Sequence, residues 1–327
     1  MNYLDLGIVI VSWNVRDLLR RCLRSIDESL RGTHMTYRVV VVDNASVDGS
    51  AAMVREEFPQ VLLLENTVNR GFAGGSNDGL RALGLFHPPA EHRRAPRYVM
   101  LLNPDTEIVE DALLRLVRYL DTHPDTLVAG PQLRYGDGKI QSSRRRFPSI
   151  PMLFMESTIL EQWWPRNRWA RRYRMEDRPA SGEQRVDWLV GAALVVRSEA
   201  AERAGPLDEG FFMYSEELEW QHRLIRANRG HRAPIMYLAG AVILHHEGRS
   251  SEQNLLRRHI SFQRSKLRYA RMRFGLMIAS LLRLFVLGTY LLQAVIEAGK
   301  WLAGHKRRLR AARVRQYLRI VASGLKG

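Results

Sequence analysis

The stretch Tyr98-Val99-Met100-Leu101-Leu102-Asn103-Pro104-Asp105-Thr106 decides how the chain is read. A short apolar run of β-forming residues breaks off at Asn103, Pro104, Asp105 and Thr106, the pattern of a buried strand that delivers a carboxylate to the lip of a sheet. Open α/β sheets bind ligands at that lip. A hard divalent cation takes one or two protein carboxylates and fills its other positions with water and phosphate oxygens, so Asp105 is placed to hold a metal diphosphate. The competing reading is a polar strand-to-helix turn, with Pro104 in the turn and Glu110 and Asp111 opening the helix.

The flanking sequence favours a sheet of this kind. Leu6 to Trp13 is a continuous apolar run, and Val15 to Leu30 then shows helical spacing through Leu18, Leu19, Leu23, Ile26 and Leu30. The pattern returns at Tyr37 to Val42 and at Val61 to Leu64, with helical segments expected near Asp48 and Gly74. A helix over about Glu110 to Leu120, a strand over Leu127 to Leu133 and a hairpin-type turn at Tyr135 to Lys139 follow Asp105. Strands alternating with helices predict an α/β fold, a mostly parallel central sheet covered by helices through right-handed crossovers.

Chemistry is concentrated where these strands end. Val39 to Val42 runs into Asp43, whose carboxylate can accept hydrogen bonds from a base or ribose, while Ser46 or Asp48 can equally cap the next helix. Asn69 to Gly79 is rich in small residues that let backbone approach a ligand, yet it lacks the lysine and glycine spacing of a Walker loop or a dinucleotide fingerprint. Val186 to Val196 reads as a strand interrupted at Gly191 and Ala192, another point of close backbone approach. Glu216 and Glu217 open a helix. They are either ordinary first-turn acids or candidates for a general base, since neighbouring carboxylates raise one another's pKa. Tyr237 to Leu244 is a further strand, ending in His245 and His246, where an imidazole can complete a metal site begun by Asp105 or serve only the loop.

Composition narrows the partners. The 327-residue chain is 46% hydrophobic, enough for a large core, and its formal net charge of +16 calls for an anionic partner: nucleic acid, an anionic membrane or a phosphorylated substrate. The one cysteine, Cys22, excludes a disulfide framework and a cysteine zinc site, and with an N-terminus that enters a strand almost at once it sets a cytoplasmic expectation. Arg144 to Arg185 mixes arginines with Trp163, Trp164 and Trp169; it reads either as a surface for a phosphorylated lipid, sugar or RNA, or as a packed aromatic cluster with solvated arginines. Pro88 to Arg97, close to His87 and holding His92, Arg93 and Arg94, reads as a surface loop.

Five ordered blocks, Ile8 to Asn14, Val42 to Ser46, Asn69 to Asn77, Leu102 to Asp105, and Phe211 to Trp220 paired with His245 to Ser250, resemble the inverting nucleotide-sugar glycosyltransferases of family 2, with the GT-A fold, and among them the rhamnosyltransferase-like members. The resemblance covers roughly residues 5 to 270. It implies a catalytic domain over 1–270, with a nucleotide-sugar half over 1–135 and an acceptor half over 136–270. It also implies donor-nucleotide contacts from Asp43 with Ser12, Asn14, Ser46, Asn69, Gly71, Gly74, Asn77 and Asn103. Asp105 would be the surviving acid of the family's Asp-x-Asp signature, holding Mg²⁺ or Mn²⁺ with His245, and with His246 in reserve. Glu217, or its neighbour Glu216, would be the catalytic base, and Trp188, Gly191 and Ala192 would face the acceptor. Two positions depart from the family pattern: Asn103 stands for the first signature acid, removing one charge from the metal site, and Glu216-Glu217 stands for the usual Glu-Asp pair. The implied reaction moves a sugar, rhamnose from dTDP-rhamnose or another sugar from a UDP or GDP donor, to a glycan or polyprenol-diphosphate-linked acceptor in cell-surface polysaccharide synthesis.

Beyond Phe274 the composition changes. Leu276 to Ile296 is apolar but interrupted by Arg283 and Gln293, and the basic run His305 to Arg310 follows. A spanning helix needs about 20 apolar residues, so the expectation for 271–327 is an in-plane or hairpin-like contact with an anionic membrane, peripheral on the inner face of the plasma membrane. A core or dimer helix with a solvated basic tail is the alternative. Nucleic acid is not expected, because the basic residues follow no nucleic-acid motif. A sugar nucleotidylyltransferase or a scaffold that binds nucleotide without turnover would use a similar sheet.

Overall fold

A computed structural model describes residues 4–86, 95–228, 234–246 and 255–326. The loop about His92 and the residues 247–250 after the histidine pair lie outside them. Contacts divide the chain into two units: an α/β unit of Met1–Arg146, Arg178–Phe212 and Glu216–Ser250, and a helical unit of Phe147–Asp177, Met213–Ser215 and Ser251–Gly327.

The α/β unit opens with β1 (Leu6–Ser12), α1 (Arg16–Leu30), β2 (Tyr37–Asp43), α2 (Ser50–Glu57), β3 (Leu62–Glu65), α3 (Gly71–Ala82) and β4 (Tyr98–Leu102). It continues with β5 (Thr106–Ile108), α4 (Ala112–Thr122), β6 (Val128–Arg134) and β7 (Arg144–Arg145). The helical unit then interposes α5 (Ile150–Met155), α6 (Ile159–Trp163) and α7 (Arg168–Tyr173). Returning to the α/β unit are β8 (Glu183–Val186), β9 (Trp188–Leu189), β10 (Ala193–Arg197), α8 (Ser198–Ala204), α9 (Glu216–Ala227) and β11 (Ile235–His245), and the helical unit ends with α10 (Leu255–Leu302) and α11 (Arg307–Ala322).

The main sheet has the order β3-β2-β1-β4-β10-β6-β11-β5, with β8 also paired to β11. β1, β2, β3, β4, β6 and β11 run one way, and β10, β5 and β8 run the other. Val39 to Val42 and the whole of β4 are buried, as expected of strands covered on both faces. Helix α1 buries Leu19, Cys22, Leu23, Ile26 and Leu30, one stripe at helical spacing, and α4 does the same with Leu113, Leu116, Val117 and Leu120. Each fully buried leucine of this core contributes about 1.5–3 kcal/mol.

Three sequence expectations are corrected locally. Residues Thr106 to Ile108 do not continue a turn into a helix. They form β5, antiparallel to β11, and α4 starts only at Ala112, after Glu110 at φ 52°. Helix α3 starts at Gly71 instead of near Gly74, and Gly71, at φ 71°, lies against Phe212: a Cβ there would stand 2.1 Å from the Phe212 carbonyl oxygen. The run from Val186 to Val196 is divided between β8, β9 and β10, with Gly191 in the gap.

In the helical unit α10 bends at Gly275 (φ 88°) and packs with α5 and α11 around Leu153, Leu267, Ala270, Ala279, Leu282, Val286, Tyr290, Ile320 and Leu325. Arg283, expected to interrupt the apolar run, is turned inward, its Nε donating to the Gly324 carbonyl at 2.7 Å. Gln293 and Glu297 are buried as well, and Glu297 pairs with Arg310 at 2.6 Å.

Candidate active site

Register places the polar strand ends on one edge of the sheet. Ser12 is level with Asp43, Ile10 with Leu102, Leu102 with Ala193, and His245 with Thr106. Asp43, Ser12, the Asn103–Asp105 turn, Gly191–Ala192 and His245 therefore follow one another along a single lip. Strands lie about 4.8 Å apart, so Asp43 and the Asn103–Asp105 turn, two strands on, are separated by roughly 10 Å, a span suited to a nucleoside diphosphate.

At the β1–β2 end the polar groups are only half used. Asp43 is buried, and its Oδ2 accepts from the Ser46 N–H at 2.9 Å while Oδ1 has no hydrogen-bond partner. Ser12 Oγ and Ser76 Oγ are likewise buried without partners. Buried polar atoms are nearly always bonded, so these oxygens at the strand ends are candidates to meet a ligand. Asn14, at φ 52°, donates its N–H to Ser46 Oγ and accepts the Val47 N–H on Oδ1, tying the two strand-end loops together. Ser46 thus does not cap α2; Asp48 takes the Ser50 N–H at 3.0 Å instead.

The glycine-rich loop is built for packing as much as for a ligand. A Cβ on Gly75 or Gly79 would meet Val11 or Val9 of β1 at 2.7 or 2.4 Å, so these glycines let α3 lie close on the sheet. Gly74 abuts Arg70 of its own helix, and Asn69 Oδ1 accepts the Gly71 N–H. Asn77 is fully engaged, donating to the Leu207 carbonyl and Glu209 and accepting the Leu207 N–H. Asn44, which the sequence did not single out, donates to the Gly71 carbonyl and so couples this loop to the end of β2.

Asp105 and His245 meet at the next step along the lip. Both are buried, with Asp105 Oδ1 and His245 Nε2 3.3 Å apart and Asn103 Nδ2 3.4 Å from the same nitrogen. His245 Nδ1 lies 2.8 Å from Gln141 Oε1. A carboxamide oxygen only accepts, so Nδ1 carries a proton, and in the neutral ring the Nε2 lone pair faces the Asp105 carboxylate. Two acceptors facing one another call for a cation between or beside them, and a partner on the far ring nitrogen is the usual support of a histidine ligand. His246 points elsewhere, its Nε2 2.7 Å from Glu107. Among the described residues no group of three or more His, Cys, Asp or Glu forms a metal site. Cys22 braces the turn beneath, its Sγ 3.7 Å from the Asn103 carbonyl oxygen, and burial pushes its thiol up to about 12.

The acid pair joins this lip through the backbone. The Asn103 N–H donates to the Ala192 carbonyl at 2.9 Å, and the neighbouring Gly191 lies against Glu217: a Cβ on it would stand 3.1 Å from the Glu217 Cβ. Gln221, one turn on in α9, bonds Leu189 in both directions and fixes the helix start against β9. Trp188 is buried, with its indole N–H donating to the Arg146 carbonyl. Glu216 Oε2 and Glu217 Oε2 are both buried without partners. Burial raises the Glu217 pKa against the pull of backbone N–H groups at the helix start and at Gly191, and burial followed by the charge of Glu217 raises Glu216 well above the ordinary carboxylate range.

Residues 7–190 match the family model "Glycosyl transferase family 2". The chain belongs to glycosyl transferase family 2. Among curated proteins, this family 2 transferase is 30% identical over 246 residues to the N-acetylglucosaminyl-diphospho-decaprenol L-rhamnosyltransferase of Mycobacterium tuberculosis (strain ATCC 25618 / H37Rv), covering 75% of this chain and 77% of the relative. Rhamnosyltransferase WbbL of Escherichia coli (strain K12) is 25% identical over 257 residues, 77% of this chain and 89% of that one. Among solved structures, the mannosyltransferase PcManGT from Pyrobaculum calidifontis, in complex with GDP-Man and Mn²⁺, superposes with a TM-score of 0.53 at 17% identity over 99% of this chain and 87% of its own. GalNAc-T7 with UDP, GalNAc and Mn²⁺ gives 0.51 at 14% identity over 74% of this chain and 43% of that longer chain. The transferase therefore has the GT-A fold, and it is a glycosyltransferase.

Proposed function

We propose that the transferase moves rhamnose from dTDP-rhamnose to a polyprenol-diphosphate-linked N-acetylglucosaminyl acceptor, with inversion at the anomeric carbon, in cell-surface polysaccharide synthesis. The observation that carries the reading is the Asp105–His245 pair, oriented by Gln141, on the same lip as the half-satisfied Asp43. The rhamnosyltransferase relatives supply the choice of sugar and acceptor. Asp43, Ser12 and Ser76 would take the nucleoside with their free oxygens, and Asp105, His245 and the Asn103 amide would hold Mg²⁺ or Mn²⁺ at the diphosphate. When bound, the cation supplies charge neutralisation for the departing nucleoside diphosphate. Glu217 removes the proton from the acceptor hydroxyl as its oxygen attacks the anomeric carbon, and the bond from that carbon to the diphosphate oxygen breaks on the opposite face. A raised pKa suits this task, because a carboxylate of ordinary acidity is a weak base near neutral pH.

The helical unit supports a membrane location. α10 is long and apolar enough to cross a bilayer by length and composition, and only 28% of its most apolar window is buried. Met277, Leu281, Leu284, Leu291, Val295 and Leu302 are exposed at helical spacing, forming one stripe, while Arg283, Gln293 and Glu297 face the interior of the unit. One apolar face backed by polar contacts fits a helix lying in the interface, and the basic residues of α11 complement an anionic leaflet. We place the enzyme on the cytoplasmic face of the membrane that holds its acceptor.

The deciding experiment incubates the purified protein with dTDP-rhamnose and a synthetic N-acetylglucosaminyl-diphosphoprenol, with and without chelator, and determines the anomeric configuration of the product. Protection from thermal unfolding by dTDP, UDP and GDP runs beside it, since a ligand at 100 times its dissociation constant stabilises by about 2.7 kcal/mol. Transfer from a UDP- or GDP-sugar alone would replace the donor, and retention of configuration would remove Glu217 from its role.

A further inference from the structure

The stretch between Ile159 and Arg174 holds an aromatic and basic surface that the transfer reaction does not use. α6 ends in Trp163 and Trp164, which are 65% and 54% exposed, and Pro165 and Arg166 follow before α7 begins. A contiguous exposed apolar patch rimmed by polar groups marks an interaction site. The base beneath the pair is fixed. Asn167 is buried, its side chain donating to the Trp164 carbonyl at 2.8 Å and accepting the Ala170 N–H at 2.9 Å, so one residue closes α6 and caps α7. Ile159, Ala170 and Tyr173 turn inward and are buried. The tryptophans are therefore presented outward by a folded base that lies wholly within the helical unit.

Positive charge surrounds the pair. Between Ile159 and Arg174 stand five arginines and a single acid, Glu161, which is paired with Arg174. Arg166, Arg168, Arg171 and Arg172 are exposed, and none of them has an acidic partner among the described residues. The acids Glu176 and Asp177 come only after α7 has ended. Trp164 meets Trp169 edge-on with centroids 5.8 Å apart, and the Arg168 guanidinium lies over the Trp169 ring, 4.7 Å from its centroid. This arrangement separates the anionic partners that an aromatic and basic stretch can take. A nucleic-acid strand needs open aromatic faces on which its bases stack, and Trp169 already gives a face to Arg168. Indole suits the boundary of a bilayer, where its ring lies among apolar groups and its N–H meets water, and arginine suits the phosphate level just outside.

We propose that the α6–α7 surface, Trp163 and Trp164 with Arg166, Arg168, Arg171 and Arg172, is an interfacial anchor for an anionic bilayer: the two indoles enter the headgroup region and the arginines pair with lipid phosphates. The proposal deepens the membrane placement given above and rests on it. It adds a second attachment, far in sequence from the apolar stripe of α10 and different in chemistry.

The test uses the full-length protein with vesicles of phosphatidylglycerol and phosphatidylcholine, and pure phosphatidylcholine as the control. Trp163→Ser with Trp164→Ser is expected to lower affinity for the anionic vesicles by about 10-fold or more. Arg171→Gln with Arg172→Gln should lower it by about 30-fold, roughly 5-fold for each charge removed near an anionic leaflet. All four side chains are exposed, so Tm and transfer to a water-soluble acceptor analogue stay at wild-type values. Brominated phosphatidylglycerol should quench a share of the wild-type indole emission that is missing from the Trp163→Phe, Trp164→Phe protein. Equal vesicle affinity and equal quenching in wild type and tryptophan variants overturn the proposal. If Leu284→Glu with Leu291→Glu abolishes binding in that case, the membrane placement stands on α10 alone. A wild type that binds no anionic vesicle overturns both. Vesicles that leave the emission of Trp163 and Trp164 unchanged, beside a salt-dependent change on adding single-stranded RNA or inorganic pyrophosphate, would give the surface to a nucleic acid or a free phosphate and remove the lipid.

Discussion

In the α/β unit, Ser12, Asp43, Ser76, Glu216 and Glu217 each bury an oxygen that no protein group meets, whereas in the helical unit Leu276, Met277, Leu284, Val295 and Leu302 hold apolar side chains in water. The two misfits are opposite in kind. Leaving a buried oxygen unsatisfied costs about 1–3 kcal/mol, and leaving a leucine exposed forgoes about 1.5–3 kcal/mol of burial. A polar, charged ligand would resolve the first and an apolar surface the second. Gln263 and Arg310 of the helical unit also bury an unmet polar atom, so the contrast is one of weight, and it accords with the proposed pairing of a water-soluble nucleotide sugar with a lipid-borne acceptor.

The sharpest way to break the comparison is at the acid pair. Glu217→Gln should lower transfer by about 10² to 10⁴-fold, the usual contribution of a general base, with donor affinity retained. Because the Glu217 pKa is raised, the wild-type rate should climb with pH through that raised value as the carboxylate loses its proton, and the variant should lose this limb. A single-turnover assay across pH reads both, and near-normal turnover in a folded variant would exclude Glu217.

At the metal side, Asp105→Ala should abolish stimulation by Mn²⁺, and unchanged metal dependence would exclude Asp105 from the site. Gln141→Leu is the finer probe. It leaves both ligands in place but removes the acceptor that keeps the proton on His245 Nδ1, and should weaken Mn²⁺ by about 10 to 100-fold. Titration calorimetry in the presence of the nucleoside diphosphate measures it. Equal affinity in the variant would mean that Gln141 does not set the tautomer.

How much of this was visible before the structure depends on the range over which each signal acts. Val39 to Val42 and Tyr98 to Leu102 announce buried parallel strands because burial on both faces writes itself into consecutive residues. Asp43, Asp105 and His245 are legible because each follows such a run, and the lip collects strand ends by topology. β5 was not legible: three residues paired to β11 carry no period of their own. Gln141 sits in no motif, and only the fold brings it to His245. Arg283 reads as a break in an apolar helix, yet its partner is the Gly324 carbonyl, 41 residues away, so its inward turn follows from tertiary packing alone.

The exposed stripe on α10 offers a smaller effect. Leu284→Glu with Leu291→Glu should shift the protein from the pellet to the supernatant when it is sedimented with anionic vesicles, each change removing about 1.5–3 kcal/mol of apolar contact. Transfer to a water-soluble acceptor analogue should persist. Neutral vesicles or high salt should weaken the wild-type interaction, because the basic residues of α11 contribute on the order of 1 kcal/mol each near an anionic surface. A wild-type protein that stays in the supernatant with anionic vesicles at low salt would remove lipid as the occupant of this face.

Glu216 yields the smallest effect and tests whether the orphaned oxygens are a cost that the fold carries. Its pKa is raised above the ordinary value of 4.5, first by burial and then by the Glu217 charge. The sign follows from linkage. A carboxyl that holds its proton more tightly in the folded than in the unfolded state favours folding fully below the unfolded value, and that advantage is lost as pH rises through the folded value. Above it, a buried charge with an unpartnered Oε2 works against the fold. Glu216→Gln keeps the shape and stays neutral throughout. It should leave Tm unchanged near pH 4 and raise it at pH 8, by a few degrees if the penalty is about 1 kcal/mol in a chain of this size. Saturating nucleoside diphosphate should add its stabilisation equally to both proteins if Glu216 stands apart from the donor. A larger ligand shift in one of them would instead join the acid pair energetically to the donor end of the lip.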